Sequence, residues 1–152
     1  MKLDVLRRYR LQAEEYLRLE LTEADVQLGG AIQRQAQCQG KADGEVAAYL
    51  ETSRIGLDVA GVAMAYQAWE AADAEAHRAE ATVDQLTQAR EEKQAELAVA
   101  IRERKQIELL VERRRRDRQS QIRRREQREL DDFANGRWAM AQQEWTRRSE
   151  PS

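Results

Sequence analysis

Residues 62–134 contain neither proline nor glycine. Almost every residue in this stretch is an average or good helix former, so one helix of about 110 Å fits it. A mostly apolar stripe runs along it in alternating steps of three and four residues, the heptad pattern of a coiled coil. The stripe consists of Ala76, Ala79, Val83, Leu86, Arg90, Lys93, Leu97, Ala100, Arg104, Ile107 and Val111. Its cationic members can line a contact with their aliphatic stems while their charged ends reach water.

A second stripe near the start of the chain predicts a first arm over about residues 2–38. Its members are Leu6, Tyr9, Ala13, Leu17, Leu21, Ala24, Leu28 and Ile32. Gly29-Gly30 interrupts this arm, and because each glycine costs about 1 kcal/mol in a helix interior, we expect a kink there. The segment from Gly40 to Gly44 is the best turn signal in the chain and indicates a tip over about residues 39–61.

These segments predict an all-α fold, an antiparallel two-helix coiled-coil hairpin with long arms and a Gly-containing helical tip. The second arm covers about residues 62–134 and should end at Asn135-Gly136. The hairpin then forms a single domain, residues 1–136. Residues 137–152 follow as a C-terminal tail, either disordered or a short amphipathic turn. The pattern leaves two registers open, with the end of the second arm either paired with the start of the chain or overhanging it.

Composition argues against an enzyme. Only 5% of the residues are aromatic and 36% are charged, which disfavours a sheet or a large globular core. Cys38 is the single cysteine and His77 the single histidine, so neither an internal disulfide nor a metal site is expected. No phosphate-binding loop is present, and Glu14, Glu15 and Glu20 fit a solvated helix face. We expect no catalytic residues, no metal and no cofactor.

Nothing in the sequence predicts export or membrane insertion. The first residues lack the apolar run of a signal peptide, and no segment approaches the roughly 20 apolar residues of a membrane span. The single cysteine is consistent with a reducing cytosolic setting. Membrane contact is therefore expected only through a partner.

Charge is distributed unevenly, and an arginine-rich segment points to a binding partner. Residues 1–101 carry 11 basic and 18 acidic side chains, whereas residues 102–128 carry 12 basic and 5 acidic ones. Between Val111 and Leu130 the only aliphatic residue is Ile122. A helix that is polar all round gains little by packing, so this one is either a solvated face or a surface for a partner. Acidic residues interleave with the arginines, which disfavours nucleic acid as that partner.

Several segments resemble the FliJ proteins of the flagellar type III export apparatus. They are residues 102–114, residues 124–134, the opening Leu3-Asp-Val-Leu-Arg-Arg-Tyr-Arg, and Tyr49-Leu50; the most specific part is Glu126-Gln-Arg-Glu-Leu-Asp-Asp. The resemblance implies an antiparallel coiled coil similar to the central stalk of rotary F-type ATP synthases. Such a stalk sits in the ring of the export ATPase FliI, contacts the export gate protein FlhA and escorts unloaded export chaperones.

The resemblance also implies where the partners bind. The chain ends would enter the ATPase ring, with Arg113, Arg114, Arg115, Arg123, Arg124, Glu126 and Asp131 facing it. The gate would contact Tyr49, Leu50, Tyr66 and Trp69. The protein would be a cytoplasmic monomer, associated with the inner membrane through the export apparatus and binding no nucleic acid. Gly29-Gly30 and the Gly-rich tip depart from the family pattern and bear on the geometry of the tip.

Three alternatives remain open from the sequence. The first is a stalk protein of a non-flagellar type III injectisome, of the YscO type. The second is an RNA- or ribosome-binding coiled coil that uses the Arg-rich helix. The third is a purely structural, dimerising coiled coil, whose melting temperature would depend on concentration.

Overall fold

The computed structural model describes residues 2–56 and 58–149, which form two α-helices. Helix α1 spans Lys2–Ile55 and helix α2 spans Val59–Ser149; no strand occurs in the described ranges. The chain divides into two compact units. One contains residues 8–104, and the other contains residues 1–7 together with residues 105–152.

The unit of residues 8–104 is an antiparallel helical hairpin. Arg10 pairs with Glu103, Arg90 with Asp25, and Lys41 Nζ lies 3.8 Å from Glu75 Oε2. Partner numbers in α2 fall as those in α1 rise, which is the signature of antiparallel helices. The predicted all-α, two-helix hairpin is therefore confirmed.

The hairpin core is made of small side chains. Its buried cluster consists of Cys38, Ala42, Ala72, Ala76 and Ala79, and no large side chain of the described residues is fully buried. Small residues at a helix contact allow the backbones to approach closely. Hydrophobic stabilisation is therefore spread along a narrow seam, by which we mean the residues of α1 and α2 that face each other.

The stripe predicted for α2 is confirmed, because all eleven of its members are buried or half-buried. The stripe predicted for α1 was wrong at two places. Tyr9 and Ile32 are exposed, and the neighbouring Arg10 and Ala31 are half-buried instead. The spacing was correct but its phase slipped by one residue at each point, because apolar character outweighed position in the sequence reading.

The predicted turn at Gly40–Gly44 was wrong, since α1 continues through it to Ile55. Ala42 lies between these glycines, is only 3% exposed and packs into the core cluster, so burial holds the helix together. The helices instead separate at Gly56, whose φ of 66° suits glycine. Asp58 then caps α2, its Oδ1 accepting a hydrogen bond from the Ala60 backbone N–H at 3.0 Å.

The predicted end of the second arm was also wrong, because α2 continues past Asn135-Gly136 to Ser149. Helix α1 does not end at Gly29-Gly30, and the kink expected there stays a prediction. Gly136 lacks the positive φ that a glycine adopts when it ends a helix. Residues 137–149, expected as a tail, are therefore helical. The last three residues of the expected tail lie outside the described ranges.

Candidate functional site: an exposed arginine-rich helix

From Arg113 to Ser149, every residue of α2 is exposed to solvent. We call this segment the exposed helix. At 1.5 Å per residue it extends for about 55 Å. It belongs to the same compact unit as the first residues of α1.

The base of the exposed helix lies beside the start of α1. Leu3 and Asp4 line a shallow groove whose other wall comes from α2; that wall is formed by Val111, Arg114, Arg115, Asp117, Arg118 and Gln121. The start of the chain thus reaches α2 near these residues, and the residues of α2 beyond them have no such neighbour in the described structure. Of the two registers left open, the structure has the overhang, because the end of α2 extends beyond the start of α1.

Short-range charge pairs run along the surface of this helix. Arg116 Nε donates to Glu112 Oε1 and Arg125 Nε to Glu129 Oε1, both at 3.0 Å, and Gln127 Nε2 donates to Asp131 Oδ1 at 2.9 Å. Each i, i+4 pair of this kind stabilises a helix by about 0.2–0.5 kcal/mol. Such pairs, together with good helix formers, support a helix that buries almost nothing.

The seven residues predicted to face an ATPase ring all lie on this helix. Arg113, Arg114, Arg115, Arg123, Arg124, Glu126 and Asp131 are exposed. They do not form one cluster, because they are spread over about 27 Å of helix and around its circumference. Arg114 and Arg115 line the groove beside Leu3, and Asp131 accepts the hydrogen bond from Gln127. Their role in binding stays a prediction.

Large apolar side chains are exposed on the last turns of the exposed helix. They are Leu130, Phe133, Trp138, Met140 and Trp145. The Arg137 guanidinium lies 5.9 Å from the centroid of the Phe133 ring, a weak cation–π contact. Sequence reasoning had separated these residues at Gly136, so it missed that one helix carries them all.

Three of the four residues predicted to contact the export gate form an aromatic cluster. The Tyr49 ring stacks on Trp69 at 6.0 Å between centroids, and Tyr66 meets both rings edge-on at 5.5 Å. Leu50 does not join the cluster and is 61% exposed. The rings close the hairpin below its turn, and the outer edge of Tyr66 is open to solvent.

The hairpin contains a buried carboxylate that the sequence analysis did not predict. Glu14, expected on a solvated face, is 4% exposed and accepts hydrogen bonds from Arg104 and, at 2.7 Å, from Arg18. Burial by itself raises the pKa of Glu14, but the hydrogen bonds from Arg104 and Arg18 outweigh it and hold the pKa below 4.5. The stripe position of Arg104 indicates that an anion lies opposite it, but which carboxylate this is depends on the register of the hairpin.

Each cation of the α2 stripe meets a carboxylate of α1. Arg104 binds Glu14, Arg90 binds Asp25, and Lys93 Nζ lies 3.0 Å from Glu20 Oε2. The hydrogen bond from Lys93 lowers the pKa of Glu20. At the stripe positions, the charged contacts are thus cationic on α2 and anionic on α1, whereas the pairs of Arg10 with Glu103 and of Lys41 with Glu75 have the opposite polarity.

Within 2–56 and 58–149, no three His, Cys, Asp or Glu side chains are grouped to hold a metal ion. In the same ranges neither helix has a stretch apolar and long enough to cross a membrane. Cys38 is a buried free thiol, and His77 is exposed.

Comparison with known proteins supplies the family. A family model described as the flagellar FliJ protein matches residues 1–143 of the 152-residue chain. No curated protein and no solved structure matches the chain. The matched range includes all of α1, α2 as far as residue 143, and the arginine-rich segment. Because the match covers almost the entire chain and the fold is the predicted helical hairpin, this protein belongs to the FliJ family and is a component of the flagellar export apparatus, a non-enzymatic one by its family.

Proposed function

We propose that this chain is the central stalk and coupling factor of the flagellar export apparatus. In this role it binds a FliI-like ATPase ring, contacts an FlhA-like export gate and escorts export chaperones. The observation that carries the proposal is the exposed helix, which is held in helical form over residues 113–149 without packing along most of its length. Family membership supplies the apparatus in which such a helix would act.

Within the exposed helix, the chemistry of residues 113–129, where Ile122 is the only aliphatic side chain, suits a reversible contact with a ring. Exposed ion pairs contribute only about 0–1 kcal/mol each, so contacts made by Arg113, Arg123 and Arg124 would form and break readily. A large apolar surface would bind more tightly and resist stepping between equivalent ring positions. A stalk of charged residues therefore allows several equivalent positions in the ring to be sampled.

Contact with the export gate is proposed for the aromatic cluster and Leu50. Tyr49, Tyr66 and Trp69 are fixed against one another, so a partner would meet a preformed surface. Aromatic side chains on a rigid support are common anchors of protein interfaces. The adjoining Leu50 adds an exposed aliphatic side chain to this surface.

The rest of the proposed role follows from the hairpin. Helices α1 and α2 satisfy each other's seam within one chain, so we propose a monomer. We place it in the cytoplasm, held at the inner membrane by the export apparatus. A stalk of this kind performs no catalysis, and it changes the activity of the ATPase that it contacts.

The test is the ATP hydrolysis rate of the cognate FliI-like hexamer with and without this chain. We expect the natural chain to raise the rate. A variant with Arg113, Arg114, Arg123 and Arg124 all changed to Glu should lose most of the stimulation, because the ring would meet reversed charge. Circular dichroism should show that the variant stays helical.

The matched control changes four exposed arginines of the hairpin to Glu, namely Arg8, Arg34, Arg54 and Arg78. It alters the net charge by the same amount and should keep the stimulation. Failure of the natural chain to stimulate an active hexamer would overturn the stalk proposal. Tight RNA binding with a steep dependence on salt would then favour the nucleic-acid alternative.

A further inference from the structure

The heptad pattern of α2 does not stop where its apolar residues stop. Ile107 and Val111 are half-buried members of the stripe. Steps of three and four from Val111 lead to Arg114, Arg118, Gln121, Arg125 and Arg128. We call the four arginines among these the arginine seam. Arg114, Arg118 and Gln121 line the groove beside Leu3 and Asp4, so the first three of these positions lie on the face turned towards α1.

The hairpin shows which side chains pair with cations at these heptad positions. At every place where the α2 stripe carries a cation, α1 presents a carboxylate, as in the pairs of Arg90 with Asp25 and Arg104 with Glu14. The cations of the arginine seam occupy the same heptad positions. Of them, only Arg114 and Arg118 line the groove with the start of α1. The charge and the three–four spacing of the arginine seam would suit carboxylates presented by another helix.

Acidic residues of the same segment do not occupy these heptad positions. Glu112, Asp117 and Glu126 all fall outside the steps of three and four, so no carboxylate interrupts the seam between Val111 and Arg128. Asp117 and Glu129 stand at flanking positions, where they would repel a phosphate backbone. The combination of a cationic strip and acidic flanks favours a protein helix over a nucleic acid.

We propose that the arginine seam binds a helix of the partner protein that presents Asp or Glu side chains at three–four spacing, packed alongside α2 as α1 is in the hairpin. This inference rests on the proposed function, because it names the partner surface that the exposed helix meets in the export ATPase. Arg125 is available for the contact: it donates to Glu129, yet its side chain remains 83% exposed. On binding, Arg125 would exchange the Glu129 carboxylate for one of the partner helix, so its positive charge would keep an anionic partner.

The proposal distinguishes one face of the helix from the other, and two variants test it. The seam variant changes Arg114, Arg118, Arg125 and Arg128 to Glu. The off-seam variant changes four arginines at outward heptad positions, Arg102, Arg116, Arg137 and Arg148, to Glu. Both change the net charge equally, and circular dichroism checks that both stay helical.

Two readouts are used with each variant. The first is binding to two helical peptides of equal composition and about four heptads in length, one with Glu at the a and d positions and one with Glu at the b and f positions. The second is stimulation of the FliI-like hexamer. We expect the natural chain to bind the first peptide about tenfold more tightly, the sum of several weak exposed pairs. The preference should shrink as salt screens the charges.

The outcomes separate this inference from the function on which it rests. The inference is supported if the seam variant loses both the peptide preference and the stimulation while the off-seam variant keeps both. It is overturned if the natural chain binds the two peptides equally, if the off-seam variant loses as much as the seam variant, or if RNA competes more strongly than the first peptide. A natural chain that prefers the first peptide but does not stimulate the hexamer contradicts the proposed function and leaves the acidic-helix preference standing.

Discussion

The hairpin of residues 8–104 and the exposed helix of residues 113–149 are built from the same materials. Both use good helix formers, the same three–four spacing and arginines at seam positions. In the hairpin the arginines of the α2 stripe meet carboxylates and its alanines are buried, whereas every residue of the exposed helix is open to solvent. The comparison shows that helix formation and helix packing are separate consequences of this sequence, and that only packing depends on a facing helix.

Alanine residues of α2 also differ in burial according to whether a helix faces them. Ala72 and Ala76 are almost completely buried, whereas Ala134 and Ala139 are exposed in the same helix α2. The side chain is identical and only its environment differs. Its contribution to stability therefore depends on whether α1 lies against it.

The largest expected difference between the two regions comes from a charge at an alanine position. Ala76→Glu places an unpaired carboxylate in the core cluster and should lower the free energy of unfolding by about 3–5 kcal/mol. Ala134→Glu makes the same change on the exposed helix and should stay within about 0.5 kcal/mol of the natural chain. Urea unfolding followed by circular dichroism measures both. Equal losses would show that burial does not distinguish the two regions.

A smaller effect is expected when the buried carboxylate of the seam is neutralised. Glu14→Gln removes the charge that binds Arg104 and Arg18 and should lower the free energy of unfolding by about 1.5–3 kcal/mol at neutral pH. The exposed neighbour provides a control, because Glu15→Gln should change stability by no more than about 0.5 kcal/mol. A negligible effect of Glu14→Gln would show that the seam ion pairs do not stabilise the hairpin.

The pH dependence of unfolding tests the same carboxylate without relying on the size of the mutational effect. The pKa of Glu14 is lowered in the folded hairpin, so its contribution is present above its ordinary value of 4.5 and is lost as the pH falls through the lower folded pKa. The natural chain should therefore lose stability over this acid range faster than the Glu14→Gln variant. Parallel curves would contradict the assignment.

The smallest effects are expected at the glycines inside the helices. Nothing would lie within 4 Å of a Cβ atom at Gly29, Gly30, Gly40 or Gly44. Each Gly→Ala change at these positions should therefore raise the free energy of unfolding by about 0.4–1 kcal/mol. Gly56→Ala should lower it instead, because the positive φ there is strained for alanine. A uniform gain at all five positions would contradict the placement of the turn at Gly56.

Gly136, on the exposed helix, would also have nothing within 4 Å of an added Cβ atom. Gly136→Ala should therefore raise the free energy of unfolding as well.

Much of the fold could be predicted from periodicity alone. The α2 stripe was correct at every member because its three–four steps extend without proline or glycine over many turns. Glycine gave the least reliable signal. Gly40 and Gly44 look like a turn in the sequence, yet Ala42 between them is buried against α2, and that long-range contact is invisible to a local reading.

Some features of the candidate site could also be predicted from the sequence, and others could not. The arginine-rich segment and its exposure follow from composition, since a segment with one aliphatic residue between Val111 and Leu130 has nothing to bury. The pairing of Glu14 with Arg104 could not be predicted, because the two residues are 90 positions apart and their meeting depends on the register of the hairpin.

By itself, the amino-acid sequence determined that this protein would form long helices, that one side of α2 would face a partner helix, and that a strongly basic segment would stay in water. Heptad spacing, helix propensity and the absence of apolar residues are local properties, and they suffice for those conclusions. The tertiary structure decided where the hairpin turns and which carboxylates face the cations of α2. It also decided which residues of the arginine seam lie beside α1 and which do not. Those features depend on the register between two helices, which is fixed only by contacts between residues far apart in the chain.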